Sequence, residues 1–176
     1  MTEPQNSGFT FGANANFSED EKQQLTAAFN KITTDECRGW FEKRLAEFGP
    51  PGPGAAPYYQ SLDAVLGDAK INKYEVSLTA EQMGISDESR KKVAKNYDNK
   101  WTSLNVANGY TNGTRVWLMP VAFWNNSTIP YNDRDLTGII IHELFHVAGY
   151  GDDFESRIKE LTPEIKRHCS KTTGNI

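Results

Sequence analysis

Residues that bind metals or cross-link small folds are scarce in this chain, which has three histidines, three methionines and two cysteines among 176 residues. No stretch approaches the ~20 apolar residues needed to span a bilayer, and the N-terminus has no apolar signal-like segment. Charge of one sign is not in excess either. The 19 Lys and Arg and 23 Asp and Glu are interspersed and give a net charge of −4, which excludes a nucleic-acid surface and a polybasic membrane patch. Proteins or peptides are the expected partners, with no nucleic acid and no membrane, and the length suits one monomeric domain with a real core.

With so few histidines, their placement carries information. Two of the three fall in Thr137 to Asp153, TGIIIHELFHVAGYGDD, where His142, Glu143 and His146 make the pattern H-E-x-x-H. On a helix, positions i and i+4 lie one above the other, so both imidazoles can grip one metal ion. Glu143 falls beside them, placed to take a proton from an attacking water. Leu136, Ile140, Leu144 and Val147 recur at helical spacing, with Ile141, Phe145 and Ala148 widening the stripe, so the segment reads as a mostly buried helix. The remaining face carries Gly138, His142, His146 and Gly149 and leaves room for a metal and a substrate. Asn132 or Asp133 can cap its start, Asp135 suits the first turn, and Gly149 is a natural stop.

Catalytic zinc takes three protein ligands and keeps one position for water. Gly149 lies three residues after His146 and Asp152 three after that, and a sharp turn at the glycine would swing Asp152 back to the metal. The resulting H-E-x-x-H-x-x-G-x-x-D resembles the extended motif of metzincin-type zincin metallopeptidases, with Asp for the usual last His, a variant shared by the snapalysin family of small secreted bacterial proteases. The resemblance implies Zn2+ as cofactor, His142, His146 and Asp152 as ligands, Glu143 as general base, and peptide-bond hydrolysis as the reaction. It is confined to the motif. The methionine turn of metzincins is missing, because Met1, Met83 and Met119 all precede the helix.

Gluzincins instead take their third ligand from a Glu on a following helix, and Phe154 to Cys169 reads as such a helix, offering Glu155, Glu160 and Glu164. Asp153 and His168 also stay open. The glutamates equally suit a solvated helix surface shared with Arg157, Lys159, Lys166 and Arg167. Deformylases use H-E-x-x-H too, but with a cysteine ligand in a separate motif that neither Cys37 nor Cys169 matches. Tyr150, Tyr131 and His168 are candidate donors to a tetrahedral oxyanion. Two rivals to a general peptidase remain: a non-catalytic zincin-like binding module with a structural metal, and a secreted effector or toxin peptidase with one protein substrate.

Cys37 sits in an early helical region and Cys169 at the end of the last, so the two can pair across a long loop. That leans toward a secreted or extracellular protein whose signal has been removed, with the cytoplasm as the alternative.

The expected fold class is α+β: a small zincin-like domain with N-terminal helices, a small mixed sheet with a hairpin, an HExxH active-site helix and a C-terminal helix. Residues 1–17 read as a flexible segment with Phe9, Phe11 and Phe17 able to dock on the body, and 18–176 as the single domain. Ser18 and Glu21 form a capping box for a first helix with Leu25, Ala28, Phe29 and Ile32 at helical spacing, and a second runs from Thr34 to Phe48. GPPGPGAAP at 49–57 is a stiff spacer. Tyr58 to Lys70 is helical, Ile71 to Leu78 alternates as a strand, and Ser86 to Asn99 reads as an exposed helical turn or loop. Leu104 to Tyr110 and Thr114 to Leu118 flank a hairpin turn at Thr111, Asn112 and Gly113, with a further strand at Val121 to Trp124. In zincins the strand before the active-site helix walls the cleft and pairs with extended substrate, a part expected of Thr114 to Trp124, with Trp117, Phe123 and Trp124 as pocket walls or core.

Overall fold

The computed structural model describes residues 9–51, 59–97, 109–123 and 136–170. Helix α1, Glu19–Ile32, starts at the capping box, in which the Ser18 hydroxyl accepts from the Glu21 amide at 3.1 Å and the Glu21 carboxylate from the Ser18 amide at 2.9 Å. Its stripe of Leu25, Ala28, Phe29 and Ile32 is buried. Thr34 caps α2, Asp35–Phe48, which buries Cys37, Trp40, Phe41 and Leu45 and stops at Gly49 with φ 73°. Short helices α3, Leu62–Asp68, and α4, Ala80–Met83, follow, then α5, Asp87–Tyr97, where a helical turn or loop was expected.

Helix α6, Leu136–Val147, is the axis of the domain. Its apolar side chains run nearly all round it, and a helix of that kind has to be enclosed. Helices α1 and α3 and strands β3, Gly109–Asn112, and β4, Arg115–Leu118, pack around it. Phe145 alone meets Trp40, Phe41 and Phe48 at ring separations of 6.2, 4.6 and 5.6 Å.

Four strands form a mixed sheet in the order β1-β2-β4-β3, with β1 at Thr10–Phe11 and β2 at Lys70–Lys73. β1, β2 and β4 are parallel, and β3 pairs antiparallel to β4 across a two-residue turn at Gly113 and Thr114. Gly113 has φ 62°, the positive value such hairpin turns require. Alternation sorts the faces: Val116 and Leu118 join the main core around α6, while Trp117 and Met119 enter a second cluster with Tyr74, Leu78, Met83 and Val93. Phe9 stacks on Phe29 at 4.3 Å and Phe17 lies 5.7 Å from Phe123, so the chain is packed onto the body from Phe9 onward.

Three further sequence expectations change. The strand expected over Val121 to Trp124 is instead a 3-10 turn at Pro120–Phe123, since Pro120 has no N–H for a ladder; Trp124 lies outside the described residues. The strand expected from Ile71 to Leu78 ends at Lys73, opposite Leu118 where β4 also ends. The single helix expected over Phe154 to Cys169 is split into α7, Glu155–Lys159, and α8, Thr162–His168, because Pro163 at the start of α8 cannot donate to the preceding turn. Helix α8 returns onto α2. Glu164 accepts from Trp40 Nε1 at 2.8 Å and Arg44 Nε at 2.9 Å, His168 Nδ1 meets Glu36 at 3.1 Å, and Cys37 is bonded to Cys169. Burial raises the Glu164 carboxyl, but the Trp40 and Arg44 contacts outweigh it and hold the group below its usual range.

The disulfide spans 132 residues of sequence. A loop of that length is worth about 5 kcal/mol in the chain-entropy account. The Cys37→Ala/Cys169→Ala double variant is expected to melt roughly 10–20 °C lower than the wild type, as measured by circular dichroism. An unchanged Tm would show that the bridge adds nothing to the contacts between α2 and α8.

Candidate metal centre

His142 and His146 occupy successive turns of α6, with ring centroids 5.0 Å apart. His142 is buried among the core residues, and His146 is slightly more open. The helix stops after Val147, where Gly149 adopts φ 108° and the Tyr150 amide caps back to the Phe145 carbonyl at 3.2 Å. A Cβ on Gly149 would sit 2.9 Å from the Pro51 ring, so both the conformation and the space require glycine.

The returning chain is held by an aromatic cluster. Tyr150 is buried, its ring lies 5.1 Å from Phe48 and 4.9 Å from Phe154, and its hydroxyl donates to the Gly49 carbonyl at the end of α2. Arg157 covers Phe48 at 4.5 Å, and Ile158 is buried beneath α7. With Phe154 and Ile158 anchored on one side of α7, its first residue, Glu155, is turned onto the histidines. Glu155 Oε1 lies 2.9 Å from His146 Nε2, and Oε2 lies 3.2 Å from His142 Nε2.

These three residues are the group in which ligand atoms of described residues all lie within 4.8 Å of one another. Among the described residues the acid that meets both histidines is Glu155, one of the alternatives open in the sequence. Asp152 begins the 3-10 turn Asp152–Phe154, and its side chain lies outside the described residues. Asp153 and Glu160 are exposed, while Glu164 and His168 are engaged with α2. The expectations for oxyanion donors also change: Tyr150 aims its hydroxyl at α2 and His168 sits beside Glu36, while Tyr131 lies outside the described residues.

The donor set fits a cation on electrostatic grounds. His146 Nδ1 lies 2.5 Å from the Tyr150 carbonyl, which only accepts, so the ring proton is on Nδ1. A neutral ring then points the Nε2 lone pair at the Glu155 carboxylate 2.9 Å away, a repulsive contact unless a proton or a metal ion lies between them. A tetrahedral centre with ligand bonds of about 2.1 Å separates its ligand atoms by roughly 3.4 Å, and the two histidine-to-Glu155 distances of 2.9 and 3.2 Å fall a few tenths of an ångström short of that. Burial raises the Glu155 carboxyl, but the positive charge of His142 and His146 when protonated, with Lys159, outweighs it and holds the group below its usual range.

Glu143 lies on the same helix, buried against β3. Its Oε1 accepts from the Thr111 hydroxyl at 2.7 Å, and a Cβ on Gly109 would sit 2.9 Å from Oε2. Sequence reading missed both β3 residues, since Thr111 was assigned to the hairpin turn. The pairing of Asn112 with Arg115 shortens the turn to Gly113 and Thr114, carries the first strand two residues past Tyr110 and so places Thr111 on the strand face that meets α6.

No protein-family model matches this sequence, and neither a curated protein nor a solved structure matches it.

Glu155→Ala is expected to lower zinc affinity by about two orders of magnitude or more, since even partners one step removed from a metal are worth 10–100-fold. Isothermal titration calorimetry of Glu155→Ala and Asp152→Ala side by side checks it; tighter dependence on Asp152 would reverse the assignment.

Proposed function

We propose that the protein is a zinc-dependent metallopeptidase in which His142, His146 and Glu155 hold the ion and Glu143 is the general base. The observation that carries this reading is the convergence of both motif histidines with Glu155 while Glu143 stands one residue along the same helix, outside that group. A zinc ion bound there supplies Lewis acidity to the scissile carbonyl and to the attacking water. Tyr150 fixes the His146 tautomer through its carbonyl, Glu155 balances the charge, and Glu143 takes the proton from the water and passes it to the leaving amine.

A third ligand on a helix after the motif is the gluzincin pattern, so the reading is of a zincin with a gluzincin-like ligand set. The sequence expectation that Thr114 to Trp124 walls the cleft is revised, because β4 is paired on both sides and Trp117 is core. The wall falls to β3, at the end of the sheet order and packed on α6. The Cys37–Cys169 disulfide supports an oxidising compartment, hence a secreted protein acting on protein or peptide substrates. No helix among the described residues is long and apolar enough to cross a membrane.

Glu143→Gln is expected to bind one zinc per chain and lose hydrolysis by about 1,000-fold or more, as seen by elemental mass spectrometry and a fluorogenic peptide-library assay. His142→Ala and His146→Ala should lose both metal and activity. Full hydrolysis by Glu143→Gln would falsify the assigned base.

Proton competition for the metal near neutral pH falls on the imidazoles, which must be neutral to ligate, since an ordinary carboxylate takes up its proton only at lower pH. Zinc binding should therefore weaken as pH falls below about 6, followed by competition with a chromophoric chelator. Affinity that is flat down to pH 4 would mean that the histidines are not ligands.

A further inference from the structure

Strand β3 does more than close the sheet. Its residues alternate, with Tyr110 packed in the second cluster and the Asn112 amide donating to the carbonyls of Met83 and Gly84, while Gly109 and Thr111 turn to α6. Both α6-facing residues meet the same side chain. The Thr111 hydroxyl donates to Glu143 Oε1 at 2.7 Å and lies 3.4 Å from the Glu143 main-chain carbonyl. At Gly109 the missing Cβ leaves room for the carboxylate, since an added one would lie 2.9 Å from Oε2, 3.0 Å from Cγ and 3.1 Å from Cδ.

We propose that Thr111 is a positioning residue for Glu143, its hydroxyl holding the carboxylate in one orientation between β3 and α6. The inference deepens the peptidase reading and rests on Glu143 acting as the base. The last torsion of a glutamate is broad and roughly two-fold, so helix geometry alone does not set the plane of the carboxylate. A hydroxyl on the neighbouring strand does. Proton transfer requires the base within hydrogen-bonding reach of the water in a near-attack geometry, and a carboxylate fixed beforehand does not have to reorganise during the reaction. The strand that walls the cleft thereby also aligns its base.

Thr111→Val keeps the shape and removes the donor, while Thr111→Ser keeps the donor. In the zinc-loaded protein the Val variant is expected to lower kcat by about 10–100-fold with KM within about twofold and one zinc per chain, and the Ser variant to recover most of kcat. Gly109→Ala, which pushes on the carboxylate while leaving Thr111 intact, should also lower kcat. A Val variant within twofold of wild type, a Ser variant as slow as Val, or a loss confined to KM or zinc content overturns the proposal. A second measurement needs neither metal nor substrate: a thermal-unfolding cycle of Thr111→Val and Glu143→Ala in the metal-free protein should be non-additive, the double variant losing no more Tm than the worse single. Additive losses overturn the contact. Zinc-loaded wild-type protein that hydrolyses nothing overturns the peptidase reading and the base role with it, whereas the cycle separately upholds or overturns the grip of Thr111 on Glu143.

Discussion

Burial of α6 is the constraint on which the rest of this structure depends. A helix with Ile139, Ile140, Ile141, Leu144, Phe145 and Val147 around its circumference has little solvent face, so the chain has to supply walls on nearly every side. The same helix carries His142 and Glu143, whose polar ends cannot be left unpaired in such a setting. Both requirements are met by neighbours that arrive from distant sequence: Glu155 from α7 for the histidines and Thr111 from β3 for Glu143.

The route from α6 to α7 shows how a loop can be made to deliver one carboxylate. Gly149 reverses the chain, Tyr150 is tied by its hydroxyl to the end of α2, and Phe154 lies against Phe48. Tyr150 therefore serves two ends at once. Its side chain fixes the loop to α2, and its carbonyl orients His146. Beyond α7, Pro163 forces a new helix start, and α8 is returned to α2 by Glu164, His168 and the disulfide. The segment carrying Glu155 is thus held at both ends to the same helix, which suits a carboxylate that meets two imidazoles on another element.

Much of the architecture was legible because it depends on local chemistry. The capping box at Ser18 and Glu21, the proline-glycine break after Phe48 and the H-E-x-x-H spacing all act within a few residues. The pairing of Cys37 with Cys169 was available from there being only two cysteines. Strand limits were less legible, because β2 and β4 end where their partners end and not where the apolar alternation does. The hairpin was recognised with its first strand ending two residues too early, and that placed Thr111 in the turn instead of on the strand face.

What the sequence determined by itself, then, was the helix that bears His142, Glu143 and His146, since spacing on one helix sets which side chains share a turn. The tertiary structure decided that Glu155 meets the histidines and that Thr111 meets Glu143. Several carboxylates follow the motif within reach of a turn, and their side chains differ little as isolated chemistry. Burial of Tyr150 and Ile158, with Phe154 packed beside them, sets the rotation of α7 that turns Glu155 to the histidines, and the sheet register places Thr111. Both choices rest on contacts between residues far apart in the chain, and these exist only once the core has closed around α6.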